Sequence, residues 1–275
     1  MTGARLGAVL SLVLGLGGCG TFVPELSDWP NNTDQGSDLM VQAIVRSIRC
    51  ELRNAVTTAV DDDIAASKHG QKTYSNFLEN WGAQVLLTLT IVEKSTINPT
   101  TTLLPPSPPS SVVTVSGGLS WSAQATRTEK MNFFYSVKEL YLPHGRTCDA
   151  STEDPRGSML VRSDLKIASV LGSRINAAAL GQANAPAAGQ ENVLSHQVIF
   201  QVVSSGNVTP AWNLVTATVN QSGTLFNTSR DRTHDLLITF GPMSKAPGGK
   251  SLIAIAEQTH FASQITSGFN TARPR

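Results

Sequence analysis

Charge is scarce in this sequence. Of 275 residues only 21 are Lys or Arg and 20 are Asp or Glu, leaving a formal net charge of +1. No basic cluster stands out against that background, which excludes the positive footprint that nucleic acid binding needs. Aromatic residues are thin as well, at 6%. The histidines, His69, His144, His196, His234 and His260, are scattered singly, with no His-Glu-x-x-His and no close pair to ligate a metal. No Gly-x-Ser-x-Gly elbow marks a nucleophile, and no repeat of fixed period is visible. Cysteine occurs only at Cys19, Cys50 and Cys148, and the first long apolar run is Leu6 to Leu16.

That apolar run has a recognisable grammar. A short start carrying only Arg5, the run itself, and small residues before a cysteine make residues 1–18 read as an export signal. The run is about half the roughly 20 residues a helix needs to cross hydrocarbon, so a retained span is not expected. The residues that close it, Leu16-Gly17-Gly18-Cys19, resemble the lipobox of bacterial lipoproteins, in which the cysteine is diacylated before cleavage. The resemblance covers the first twenty residues. It implies cleavage after Gly18 and a lipid anchor on Cys19, each buried methylene of which contributes roughly 0.8 kcal/mol of bilayer affinity. By the same resemblance, Asp after the cysteine would retain the protein in the inner membrane; Gly20 therefore implies the outer membrane, with the periplasm the expected side. Arg5 leaves with the signal, so the mature charge is about zero.

With Cys19 lipidated, Cys50 and Cys148 remain as an even pair in an oxidising compartment, and a disulfide between them is expected. A catalytic thiol would want a paired histidine, and a cysteine metal site closely spaced ligands. Residues 19–36, polar and interrupted by Pro24 and Pro30, read as a lipidated tether. Residues 37–275 read as one globular domain, with possible halves 37–181 and 193–275 about a soft linker at 182–192.

Within that domain, periodicity assigns the elements. Val41, Ile44, Val45, Ile48, Leu52, Val56 and Val60 recur at helical spacing and predict a helix over 38–62. From Gly118 to Lys138 the odd positions are largely apolar and the even ones polar, which predicts a very long strand, with a bend or bulge where Arg127 and Glu129 interrupt the apolar side. Its predicted partner is 82–97, and Pro105-Pro106-Ser107-Pro108-Pro109 lies at the tip of the resulting hairpin. A second helix is predicted from a Ser163 cap to Gly181, three strands over 193–204, 211–220 and 234–240 with a turn at Gly206-Asn207, and a last helix over 251–268. The expected class is α+β: an antiparallel sheet with a long β-hairpin and about three packed helices.

The chemistry-bearing letters have plainer explanations. Ser163-Asp164-Leu165-Lys166 matches Ser-x-x-Lys, but the companion elements of the penicillin-binding enzymes are absent and a helix start explains the same residues. Gly248-Gly249-Lys250-Ser251 lacks the first glycine of a phosphate loop. Asp61-Asp62-Asp63 lacks the alternating ligands and glycine turn of a calcium loop and reads as a solvated helix end. His196, among Leu194, Val198 and Phe200, reads as a core histidine. The expectation is therefore a non-enzymatic, lipid-anchored envelope protein that works as a structural or interaction module, without cofactor, nucleic acid or metal. Its partners would be the membrane, through the anchor, and an envelope protein or a second copy of itself. The alternatives are a periplasmic hydrolase or small-ligand binder using Ser163, Lys166 and His196, and a ring of subunits each donating a hairpin to an envelope complex. About five strands cannot close a transmembrane barrel from one chain.

Overall fold

The computed structural model describes residues 23–26, 34–70, 72–106, 113–142, 148, 158–184, 192–213, 217–220, 224–245 and 251–272. The fold is α+β with antiparallel pairing, as the periodicities predict. Cys19 and its lipobox lie outside the described residues, as do Ser107-Pro108-Pro109 of the predicted hairpin tip and most of the soft linker.

The longest helix is α1 (Asp34–Ser67), which extends beyond the predicted span at both ends. Short helices α2 (Val137–Leu140) and α3 (Met159–Arg162) precede α4 (Ile167–Ala179), and α5 (Ala254–Ala272) closes the chain. The strands are β1 (Trp81–Ile97), β2 (Thr100–Leu103), β3 (Val115–Gly118), β4 (Trp121–Ser136), β5 (Leu194–Val208), β6 (Trp212–Asn213), β7 (Ala217–Val219) and β8 (Phe226–Pro242). They form two four-stranded sheets, ordered β4-β1-β8-β5 and β3-β2-β7-β6.

The chain folds into two compact units, neither continuous in sequence. One comprises Ser27–Leu89, Glu129–Phe200 and His234–Arg275. Its core is the apolar stripe of α1, with Met40, Ile44, Ile48, Leu52, Ala55 and Val56 buried, together with Leu171, Ile175 and Ala178 of α4. In the sheet, Ala83, Val85, Leu87 and Leu89 of β1 and Leu236, Ile238 and Phe240 of β8 are buried, as central strands covered on both faces should be. Helix α5 approaches β8 so closely that a Cβ placed on Gly241 would stand 2.8 Å from the Ala256 Cβ; only glycine admits the helix there.

A seam of side chains at helical spacing along α1 holds the segment after β4. Asp61 accepts from the Tyr141 hydroxyl at 2.9 Å, Thr57 accepts the Leu142 amide at 2.9 Å, and Asn54 exchanges two 2.7 Å hydrogen bonds with the Cys148 backbone. Cys50 then closes the disulfide to Cys148, with the Cα atoms 5.3 Å apart. Asp63 accepts the Tyr74 and Ser75 amides at 2.8 Å each. The acidic run is thus not a solvated helix end: Asp61 and Asp63 are structural acceptors within α1.

Several local expectations are corrected. Ser163 does not cap α4; it ends α3, and the helix begins only after Lys166, whose φ of 60° interrupts helical geometry. Nor does the chain turn at Gly206-Asn207. Strand β5 runs through both residues, and a Cβ on Gly206 would sit 3.9 Å from Thr228 of β8. The predicted strand over 211–220 is two short pieces, β6 and β7, and β8 starts at Phe226 rather than His234. Strand β4 also passes Arg127 and Glu129 without a break.

The other unit comprises Met1–Leu26, Thr90–Thr128 and Gln201–Thr233, and its described part consists of two hairpins side by side. In the first, Thr90 lies opposite Thr128, Asn98 opposite Ser120, and Thr100 through Leu103 opposite Gly118 through Val115. One register therefore carries through the interruption at Pro99, which has no amide to give the ladder. The second hairpin contributes β8 and β7 as inner neighbours of the first: Asn98 donates to Leu225 O at 2.8 Å, and Thr101 pairs with Val219.

The disulfide spans 98 residues of sequence, and a loop of that size is worth about 4 to 5 kcal/mol by the loss of unfolded-chain entropy. Replacing Cys50 and Cys148 by Ser should lower the unfolding free energy by up to that amount in urea titrations, and added reductant should then have no further effect on the double variant.

Candidate functional site

The hairpin unit is where charge disappears. No Asp, Glu, Lys, Arg or His occurs over residues 95–126 or 197–229. The charged residues stop at one level of the sheet. There, Arg230 Nη1 lies 2.9 Å from Glu93 Oε1 and Arg127 Nη1 lies 3.2 Å from Glu25 Oε2, and Arg230 also donates to the Glu25 carbonyl.

Side-chain contacts assign the two faces of this sheet. The Thr90 and Thr128 hydroxyls meet at 3.3 Å and Ser120 donates to Asn98 at 2.6 Å, so even-numbered residues of β1 and β4 share a face. The Glu93–Arg230 pair puts even-numbered residues of β8 on the other side, and Gln201 donating to Asp231 at 2.7 Å puts odd-numbered residues of β5 and β8 with Thr90. One face is thereby mostly hydroxyl and amide: Thr96, Asn98, Ser120, Ser122, Gln124, Thr126, Gln201 and Asn227. The other carries Ile97, Leu119, Trp121, Ala123, Ala125, Val202 and Phe226, with Ser95, Ser204 and Thr228 among them, while Val203 lies on the hydroxyl face. On this second face Leu119 is 61% and Trp121 50% exposed, whereas Ile97, Ala123, Ala125, Val202 and Phe226 are half-buried, and Glu25 lies against its Arg127 and Arg230. Exposed apolar residues gathered on one surface mark a place of contact.

The edges of the sheet form the second part of the site. Strands β4 and β5 stand at the two ends of the β4-β1-β8-β5 order, and among the described residues no strand pairs with the outer side of either. Leu119 donates its amide to Pro99 O; alternation then directs the amides of Ser122, Gln124 and Thr126 outward. Strand β5 holds no proline and no Asp, Glu, Lys or Arg in its 15 residues.

The residues singled out for chemistry do not converge. Lys166 Nζ is 2.5 Å from Asp164 Oδ2, and that partner raises the lysine pKa, the opposite of what a general base requires. His196 Nε2 donates to Leu165 O at 2.7 Å, and the Ser163 hydroxyl meets neither. His234 contacts the Ser158 hydroxyl at 3.1 Å, and His260 the Thr239 hydroxyl at 2.8 Å, each inside the helical unit. Among the described residues no group of three His, Cys, Asp or Glu could hold a metal ion, and no helix is long and apolar enough to cross a membrane. Sequence reasoning found the first hairpin but not the length of the second. The signal that marks both is the paired absence of charge.

No protein-family model matches this chain, and no curated protein matches it. Among solved structures there is a likeness to the InvG secretin domain β-barrel of the Salmonella SPI-1 injectisome, at 10% identity over 68% of each chain. Its TM-score is 0.14, a value at which no shared fold is shown.

Outside the hairpins, one acid is tuned by its surroundings. Burial pushes the Glu51 carboxyl from 4.5 up to about 7, against the opposing pull of the Leu165 and Ile167 amides. The folded state then retains a proton that the unfolded chain releases, so stability falls as pH rises from about 4.5 and levels off above about 7. Glu51→Gln should remove this slope. Denaturant midpoints of the variant should exceed those of the parent at pH 8 and match them at pH 4.

Proposed function

We propose that this protein is a lipid-anchored, non-enzymatic structural component of the cell envelope that joins further copies of itself edge to edge through its hairpin sheet. The anchor would be Cys19, in the outer membrane and facing the periplasm, supported by Leu16-Gly17-Gly18-Cys19 and Gly20. The observation that carries the assembly is β5. A long edge strand is a template for pairing, and natural sheets blunt such edges with proline, inward-pointing charge or a covering element. Strand β5 has no proline and no Asp, Glu, Lys or Arg.

A second copy suits this edge because each chain offers both halves of the contact. Strands β4 and β5, of 16 and 15 residues, bound the same sheet, and their directions let one copy's β4 continue the antiparallel alternation beside the next copy's β5. A head-to-tail contact of this kind repeats, and closes into a ring when the rotation allows.

Two measurements test the two parts separately. Metabolic labelling with a fatty acid should mark the mature protein and not Cys19→Ser; an unlabelled parent would refute the anchor. In sedimentation velocity the soluble Cys19→Ser chain should associate as its concentration rises. Gln124→Pro, which removes an outward amide and leaves the β1 ladder intact, should reduce association at least tenfold with an unchanged far-UV spectrum. Undiminished association in that variant would refute edge pairing.

A further inference from the structure

The geometry points to a role for the two hairpins inside a lipid bilayer, as the contribution of each copy to a shared β-barrel wall. This rests on the edge-to-edge assembly proposed above, because among the described residues no strand of the same copy pairs with either outer edge and hydrocarbon does not tolerate unpaired backbone groups.

Four observations carry it. First, the charge-free stretches 95–126 and 197–229 coincide with the two neighbouring hairpins. A charge at the bilayer midplane disfavours insertion by several kcal/mol, so a membrane segment must lack charge on its lipid side. Second, the length fits: from Ser95 opposite Ala123 to Leu103 opposite Val115 the strands run about nine residues, against the roughly 9 to 11 of a tilted transmembrane strand. Third, the first hairpin is two-faced with period two, Ile97, Leu119, Trp121 and Ala123 on one side and Asn98, Ser120, Ser122 and Gln124 on the other, and the second hairpin adds Val202 and Phe226 to the apolar side with Ser204 and Thr228 between them. That is the alternation of a barrel with lipid outside and water within. At the end of this side farthest from Glu93 and Arg127, Leu119 and Trp121 lie exposed. Fourth, the charges resume at one level on β1, β4 and β8, at Glu93, Arg127 and Arg230, as at the water boundary of a membrane segment.

The apolar face is thus assigned to acyl chains, and the hydroxyl and amide face to a water-filled interior. The occupant of the face is lipid rather than a protein partner because residues 95–126 and 197–229 lack charge throughout, including residues that a protein interface would leave at a polar rim.

The test uses the full chain with its own anchor, reconstituted into phosphatidylcholine vesicles carrying bromine midway along the acyl chains. Bromine quenches tryptophan on contact, and the chain contains Trp29, Trp81, Trp121 and Trp212. The expected result is quenching of a component that is lost in Trp121→Phe. A second pair of variants reads the faces: Ala123→Arg should lower the bromine quenching of Trp121 at least tenfold, whereas Gln124→Arg, one residue along on the other face, should leave it within twofold. Assembly is followed in parallel by sedimentation in detergent, and the fold by the retained disulfide. Assembled protein without Trp121 quenching would overturn the membrane inference alone, as would equal effects of the two arginine variants. A chain that stays monomeric in detergent would overturn the edge-to-edge reading, and this inference with it.

Discussion

Cys50, Asn54, Thr57 and Asp61 stand one turn apart on α1, and through them the helix holds the segment that leaves β4. The arrangement is a graded one. Tyr141 and Leu142 are held by single hydrogen bonds, Cys148 by a pair to one amide side chain, and the last turn is covalent. Because the contacts are spaced at the helical repeat, none can form alone without bringing its neighbours into register. The helical unit depends on this seam: it positions the short helices that follow, and Glu51, the residue after Cys50, is buried against Leu165 and Ile167 at the start of α4. A carboxylate raised to about 7 is tolerable there because it can remain protonated near neutrality.

The hairpin unit is built by different physics. Its described strands hold few buried apolar side chains, and their order comes from ladders and from the Glu93, Arg127 and Arg230 contacts at one level. Hydroxyl side chains dominate one face and small or aromatic ones the other, so that neither face alone makes a core. A sheet of this kind is stable only while its backbone is paired and its faces find the solvents that suit them. The helical unit is held by ordinary hydrophobic packing, and strands β1 and β8 contribute residues to both units.

What could be read in advance follows from where each signal lives. The helices and the first hairpin are written in local periodicity: Ile44, Ile48 and Leu52 at three and four residues, Trp121 to Met131 at two. The pairing of Cys50 with Cys148 followed from counting cysteines in an oxidising compartment. The second hairpin was shortened because Gly206-Asn207 has the composition of a turn, and because Asn227 to Thr233 is polar on both sides and offers no alternation to a reader of hydropathy. Lys166 defeated the Ser163 cap by adopting a left-handed backbone that lysine rarely shows. The seam on α1 could not be read at all, since Asn54 and Thr57 are unremarkable residues until their partners, some 85 to 94 positions away, are in place. The hairpin faces lay in the sequence throughout, as an absence of charge rather than as a pattern.

The bare outer edges of β4 and β5 have a kinetic consequence. A solitary copy in hydrocarbon would carry two rows of unsatisfied amides and carbonyls and a wet face of hydroxyls, so the bilayer rejects it more strongly than water does. Exchange of single copies between the aqueous phase and a finished wall is therefore slow, because each departure would expose edges that nothing in the lipid can satisfy. An object made this way forms through a nucleus of several chains and, once closed, is long-lived without any one contact being strong.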